Sequence, residues 1–166
     1  MYYLVEFNDQ INKIVKTHGL SLNNDGTFRI DYIEEPTQDQ INSVNQLIEK
    51  YPLFCKKMEK LAQIDKDWQE VLSGGWDSGQ GVLGISAEDV ALLSANFSMA
   101  KEAANLGYPI PPIITLDNQE ISFSNIQTLT TFMLQYGQYR SNISSVFAAK
   151  RRAVENATTI SELDNL

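Results

Sequence analysis

The stretch SNIQTLTTFMLQYGQYRSNISSVFAAKRRAVENA, residues 124 to 157, decides how the rest of the chain is read. Ile126, Leu129, Met133, Tyr136, Arg140, Ile143, Phe147, Lys150, Val154 and Ala157 recur at spacings of three and four, the period of one face of an α-helix. Eight of those ten positions are apolar, which comes close to a heptad seam. Gly137 costs such a helix about 1 kcal/mol relative to Ala without ending it. From Ser122 to Gln138 no residue carries a charge, and the side opposite the seam offers Asn, Gln, Thr and Ser. Uncharged polar groups are cheaper to desolvate than ions. A helix of this kind can bury both faces, one on its own domain and one on a partner. Periodicity leaves open whether the seam packs inside a monomer or meets another chain. The candidate partner-binding seam is Ile126, Leu129, Met133, Tyr136, Ile143, Phe147 and Val154.

Working outward, Thr159-Ile160-Ser161-Glu162 is a capping-box pattern that starts a last short helix. On the other side, Ile113 to Leu116, the turn Asp117-Asn118 and Glu120 to Phe123 predict a short hairpin. Tyr108-Pro109-Ile110-Pro111-Pro112 cannot be helical and reads as a stiff linker. Ahead of it, Ser86 with Glu88 and Asp89 opens a helix carrying Val90, Leu92, Leu93, Phe97, Ala100, Ala103, Ala104 and Leu106, which stops at Gly107. Residues 74 to 81 hold four of the nine glycines and mark a boundary loop. Between Pro36 and Gly74 the period is again helical. Thr37 or Asp39 is its cap, and Pro52 kinks or splits it because proline has no amide hydrogen to donate.

Residues 1 to 35 read differently. Tyr2 to Phe7 and Asn12 to Lys16, separated by the turn-forming Asn8-Asp9, are predicted strands, and Thr27 to Ile33 follows the turn Asn23-Asn24-Asp25-Gly26 with Phe28, Ile30 and Tyr32 alternating against Arg29 and Asp31. The expected class is therefore α+β: a small N-terminal antiparallel β meander, then a mainly helical region with a short hairpin before a long C-terminal helix. The expected segments are 1–35, 36–107, a linker at 108–112, and 113–166.

The 166 residues, 43% of them apolar, suffice for a packed core. Thirteen Lys and Arg against twenty-one Asp and Glu give a net charge of -8, a field that repels phosphate backbones, so nucleic acid is not an expected partner. No stretch reaches the length of a membrane span, and no basic leader precedes an apolar run, so no membrane role is expected. The lone Cys55 allows neither an internal disulfide nor a cysteine-based metal site. Asn96, Asn142 and Asn156 stand in glycosylation triplets that carry no weight in a chain made in a reducing compartment.

The chemistry-bearing residues each have a structural reading. His18 is expected in a loop between strands, with no cluster of metal ligands beside it. Cys55 falls on an apolar helical stripe. Ser78 has Trp76, not Gly, two residues before it, so the nucleophile-elbow pattern fails. The glycine loop also lacks the Gly-Lys-Ser/Thr ending of a phosphate loop. Glu34-Glu35 sits at a turn, and Glu88-Asp89 at a helix N-terminus, where negative charge is favourable. Lys150-Arg151-Arg152 reads as a solvated face near a helix end. No catalytic, cofactor-binding or metal-ligating residues are assigned, and the chain is expected not to be an enzyme.

Ile114-Thr115-Leu116-Asp117-Asn118, Ile121-Ser122-Phe123-Ser124, the long helix and the ending Ala153-Val154-Glu155-Asn156-Ala157-Thr158-Thr159-Ile160-Ser161-Glu162-Leu163 resemble a C-terminal domain of unknown function in phage tail-fibre and neighbouring tail proteins. Trp68 to Leu72, Gly75 to Gly79, Leu83 to Ile85 and Asp89 to Leu93 resemble segments of small proteins in phages and prophages of cyanobacteria. The resemblance implies membership of a tail-fibre or baseplate module and does not imply which partner is touched. The leading expectation is a non-enzymatic structural component made in the host cytoplasm, placed in the virion tail, and bound to other tail proteins or to copies of itself in an oligomeric assembly. It carries over no catalytic residues. A tail-fibre assembly chaperone absent from the finished particle is the alternative, and a small hydrolase acting on the host surface is a third.

Overall fold

A computed structural model describes residues 3 to 166. In chain order the elements are α1 (Leu4–Ile11), β1 (Thr17–Leu22), β2 (Phe28–Tyr32), α2 (Gln38–Glu49), α3 (Tyr51–Gly74), β3 (Trp76–Asp77), β4 (Val82–Leu83), α4 (Ala87–Asn105), β5 (Ile113–Ile114), β6 (Glu120–Ile121), α5 (Ile126–Asn156) and α6 (Ile160–Asp164). Among the described residues the six strands form three separate antiparallel pairs, each between neighbours in sequence. The α+β class, the antiparallel pair near the N-terminus and the long C-terminal helix stand as expected. The chain groups into two compact units, one of residues 1–63 with 152–166 and one of residues 64–151.

In the first unit the expected opening strand is a helix. Tyr2 lies outside the described residues, but Leu4 to Phe7 belong to α1, because Phe7 and Ile11, one turn apart, are both fully buried while Val5 is 75% exposed. The second expected strand, Asn12 to Lys16, is the turn that ends α1: Ile14 and Val15 donate their amides to the Ile11 carbonyl at 2.9 and 3.0 Å. Pairing starts at Thr17, whose hydroxyl donates to Asn8 Oδ1 at 2.9 Å and whose amide donates to Asn12 Oδ1 at 2.8 Å. His18 therefore lies in β1, at a register irregularity and exposed, instead of in a loop. The β1–β2 turn and the alternation of β2 follow the sequence reading.

Thr37 caps α2 through a capping box with Gln40, and the chain breaks between Glu49 and Tyr51, so that Pro52 occupies the first turn of α3, where a missing amide hydrogen costs nothing. The core of this unit is an aromatic cluster. The Phe7 ring meets Tyr51 at 4.7 Å, Phe54 at 5.4 Å and Phe28 at 5.8 Å, and Val44 and Val15 close round it. The capping box of Thr159 and Glu162 starts α6, whose Leu163 is fully buried. Lys56 pairs with Asp164 at 3.1 Å, and Lys57 donates to the Glu155 carbonyl at 2.6 Å.

In the second unit the glycine-rich residues are not a slack loop but the β3–β4 hairpin, built into the core. Gly75 allows this: its φ is +69°, and a Cβ there would lie 2.5 Å from the Leu83 carbonyl oxygen. Trp76 then reaches Phe132, Tyr136 and Tyr139 of α5 at ring distances of 5.2, 5.7 and 6.0 Å. The backbone of this hairpin is tied down by side chains of α5. The Tyr136 hydroxyl donates to the Gly84 carbonyl at 2.8 Å, Arg140 Nε to the Ile85 carbonyl at 2.8 Å, and the Tyr139 hydroxyl to the Gly75 carbonyl at 3.3 Å. Leu116 donates its amide to Val82 at 2.8 Å, so the β5–β6 hairpin is stitched to the β3–β4 hairpin.

Ser86 and Asp89 form the capping box of α4. The helix ends in a Schellman motif at Gly107 (φ +78°), with Tyr108 donating to Ala103 and Gly107 to Ala104. The proline stretch that follows is irregular, as expected, and its Ile110 packs on the core. That core is Leu83, Ile85, Leu93, Ala100, Ile113, Ile121, Leu129, Phe132 and Tyr136.

Candidate interaction surface

The seam proposed as a partner surface points inward. Leu129 and Tyr136 are 1% and 4% exposed within the core of the second unit, and Ile126, Met133 and Ile143 pack against it. Phe147 meets Trp68 at a ring distance of 5.0 Å and a tilt of 59°, with the Arg140 guanidinium over the Trp68 ring 5.0 Å away. Val154, in the first unit, is 1% exposed. A helix with a 3.6-residue apolar stripe satisfies it against the nearest apolar surface, and here the hairpins and helices of its own chain supply that surface. Leu129, Tyr136 and Val154 cannot meet a partner without opening the fold, and Ile126, Met133, Ile143 and Phe147 are half-buried against their own chain.

Apolar surface does remain on the second unit, on α4 and β5. The sequence stripe on α4 is wider than the core can cover. Leu93 and Ala100 are buried, with Val90 and Phe97 packed at the edge, whereas Leu92 and Met99 are 62% and 59% exposed. Leu92, Asn96 and Met99 stand three and four residues apart and share one face of the helix. Next to them, Ile114 and Leu116 from the β5 side of the hairpin are 55% and 54% exposed. A concavity of about 280 Å³ between Leu92, Met99, Pro111, Pro112 and Ile114 adjoins one of about 120 Å³ that reaches Leu116, and both are bordered by Leu92, Asn96, Ile113 and Ile114. The patch is thus continuous.

Its chemistry is apolar with almost no charge. Asp89, among the described residues the one ionisable group bordering either concavity, is occupied: its Oδ2 accepts from the Ser86 amide at 2.9 Å and from the Ser86 hydroxyl at 2.6 Å. The β5–β6 turn next to the patch is held by Thr115, 4% exposed, whose hydroxyl donates to Asp117 Oδ1 at 2.6 Å. That bond holds the Asp117 carboxyl below the usual carboxylate range. Single exposed apolar side chains are ordinary on a protein surface, whereas a contiguous apolar group is the kind of surface that association uses. The signal in the sequence was Leu92: α4 carries apolar residues at 90, 92, 93 and 97, more than one stripe can bury.

The residues weighed for chemistry are dispersed. His18 is exposed on β1, and Cys55 is half-buried on α3 beside Tyr51. The Tyr51 hydroxyl is buried without a well-formed hydrogen bond, and burial, with the Cys55 thiol adding to it, pushes it up to about 12. The Ser78 hydroxyl donates to the Gly81 carbonyl at 2.8 Å and so closes its own hairpin turn. In the basic cluster, Arg151 is paired with Asp65, and Lys150 lies over the Phe147 ring at 5.3 Å. Among the described residues no three of His, Cys, Asp and Glu converge as a metal site, and no helix is long and apolar enough to cross a membrane. Compared with protein-family models, curated proteins and solved structures, the chain matches none.

Proposed function

We propose that this chain is a non-enzymatic structural component of a bacteriophage tail, in the fibre or baseplate, that acts by protein–protein binding through the α4–β5 patch. The observation that carries the binding role is the continuity of Leu92, Met99, Ile114 and Leu116 on a face with almost no charge. Burying such side chains is worth about 1.5 kcal/mol or more each, so four of them can anchor a specific interface. The tail setting comes from the resemblance of the C-terminal residues, and Ile114 and Leu116 lie within the stretch Ile114 to Asn118 that carries it. The partner is another tail protein or a second copy of the chain. The dispersal of His18, Cys55 and Ser78 and the structural employment of Asp89 favour binding over catalysis.

Mass spectrometry of purified particles tests the setting. Stoichiometric presence supports a virion component, whereas absence from particles together with capture of fibre chains during assembly makes the protein an assembly chaperone. The surface is tested by Leu92→Glu combined with Ile114→Glu. Both side chains are more than half exposed, so the fold is expected to survive while incorporation into tails is lost. Normal incorporation of the double variant would remove the patch from the interface.

A further inference from the structure

A second concavity in the 64–151 unit shares no residue with the patch just described. It holds about 510 Å³, within the range of small-molecule sites, and is an open trough along the first turns of α5. One wall is Gln127, Thr131 and Gln135, one helical turn apart in succession, so the row runs about 12 Å. Gln80, from the β3–β4 turn, and Ser122 complete the polar border, and the half-buried Phe123 supplies an aromatic surface, braced edge to face against Phe132 at 5.2 Å.

Three properties of this trough select a ligand. All of its bordering residues are uncharged, although a fifth of the chain is charged. The carboxamides of Gln80, Gln127 and Gln135 and the Ser122 hydroxyl are not engaged with other groups of the chain and are open to a ligand, whereas Ser124, Thr128 and Thr131 of the same trough are hydrogen-bonded to their own neighbours. Each carboxamide offers two donors and an acceptor. An anionic ligand such as a nucleotide would find no cation here, and a cationic one no carboxylate. An extended peptide is ordinarily read by a free sheet edge or by pockets for alternate side chains, and the wall here is a row of side chains on a helix. A neutral sugar fits all three properties. Its vicinal hydroxyls donate and accept at once, as carboxamides do, and the C–H face of its ring is apolar enough to lie on phenylalanine. The desolvation of neutral amides and hydroxyls costs little enough to be returned by such bonds.

We propose that this trough binds a neutral oligosaccharide, with Gln80, Gln127 and Gln135 hydrogen-bonding its hydroxyls and Phe123 supporting a ring face. The row of amides spans roughly two pyranose rings at the helical rise. The inference does not depend on the α4–β5 patch or on the tail setting.

The test is a titration of the isotopically labelled full chain with neutral trisaccharides of glucose, galactose, mannose and N-acetylglucosamine, following the side-chain amide resonances. Saturable shifts at Gln80, Gln127 and Gln135 are expected from at least one of the four, with a Kd of about 10 mM or tighter. Gln127→Ala and Gln135→Ala, both at exposed positions, are expected to keep the fold and to weaken that binding about tenfold each. The proposal is overturned if none of the four sugars gives a saturable shift by about 10 mM, if the shifts map to other residues, or if both variants bind as well as the native chain. A peptide rich in Ser and Thr that shifts these amides when no sugar does would equally overturn it, and would make the trough a peptide site.

Discussion

Replacing Leu129 by Ala tests where the apolar seam of α5 belongs. Leu129 is 1% exposed and sits among Ile113, Ile121, Phe132 and the rest of the core of the 64–151 unit. The substitution removes three buried carbons at about 0.8 kcal/mol each, and the incomplete collapse of the space they leave adds to this, for an expected loss of about 3 to 4 kcal/mol. That is a large share of the stability of an ordinary domain and corresponds to a fall in Tm of roughly 10 °C. Urea unfolding is the assay: the midpoint should move while the m-value stays constant, because the surface exposed on unfolding is nearly unchanged. Leu134→Ala, on the same helix but 69% exposed, is the internal control and should alter stability by no more than about 0.5 kcal/mol. If Leu129→Ala costs less than about 1 kcal/mol, or if the two substitutions cost the same, the seam is not the core of this unit and its assignment as an internal surface fails.

Gly75→Ala should cost about 2 kcal/mol or more, since it combines a left-handed backbone with a Cβ only 2.5 Å from the Leu83 carbonyl oxygen; an unchanged urea midpoint would show that the hairpin can shift freely. Tyr136→Phe keeps the aromatic packing on Trp76 but leaves the buried Gly84 carbonyl without its donor, at a cost of about 1 to 2 kcal/mol by thermal or urea unfolding; a neutral result would mean that water replaces the hydroxyl. The raised pKa of Tyr51 predicts the sign of the alkaline response. The unfolded tyrosine ionises near 10.0 and the folded one near about 12, so the stabilisation is complete below pH 10.0 and is lost as pH climbs toward 12. Tyrosinate absorbance and circular dichroism followed together should show this loss of stability, and Tyr51→Phe should lessen it; an unaltered alkaline midpoint in that variant would refute the assignment.

Elements whose determinants are local could be read directly. The boxes Thr37–Gln40, Ser86–Asp89 and Thr159–Glu162 start helices where the side chains of four consecutive residues suffice to satisfy the open amides. Gly107 ends α4, Pro52 separates α2 from α3, and Asp25-Gly26 turns β1 into β2 for equally local reasons. The N-terminal segment shows the limit. Eight residues of α1 hold too few repeats for the period to outweigh the β-favouring Tyr3, Val5 and Phe7, and what selects the helix is the docking of Phe7 among Phe28, Tyr51 and Phe54, contributed by residues 20 to 50 positions away.

The sequence by itself determined the α+β class, the caps, the Asn23–Gly26 and Asp117–Asn118 turns and the 31-residue helix, because each is set by interactions within a few residues, whereas the turn expected at Asn8-Asp9 is helical. Only the tertiary structure decided which faces of those helices stay exposed to solvent. The α5 seam closes on its own chain, α4 is left with Leu92 and Met99 in solvent beside Ile114, and Gln80 is carried to a trough bordered by residues 122 to 135. The physical reason is that burial is a competition among all apolar surfaces of the chain, and periodicity ranks the faces of one helix without knowing what the others bring.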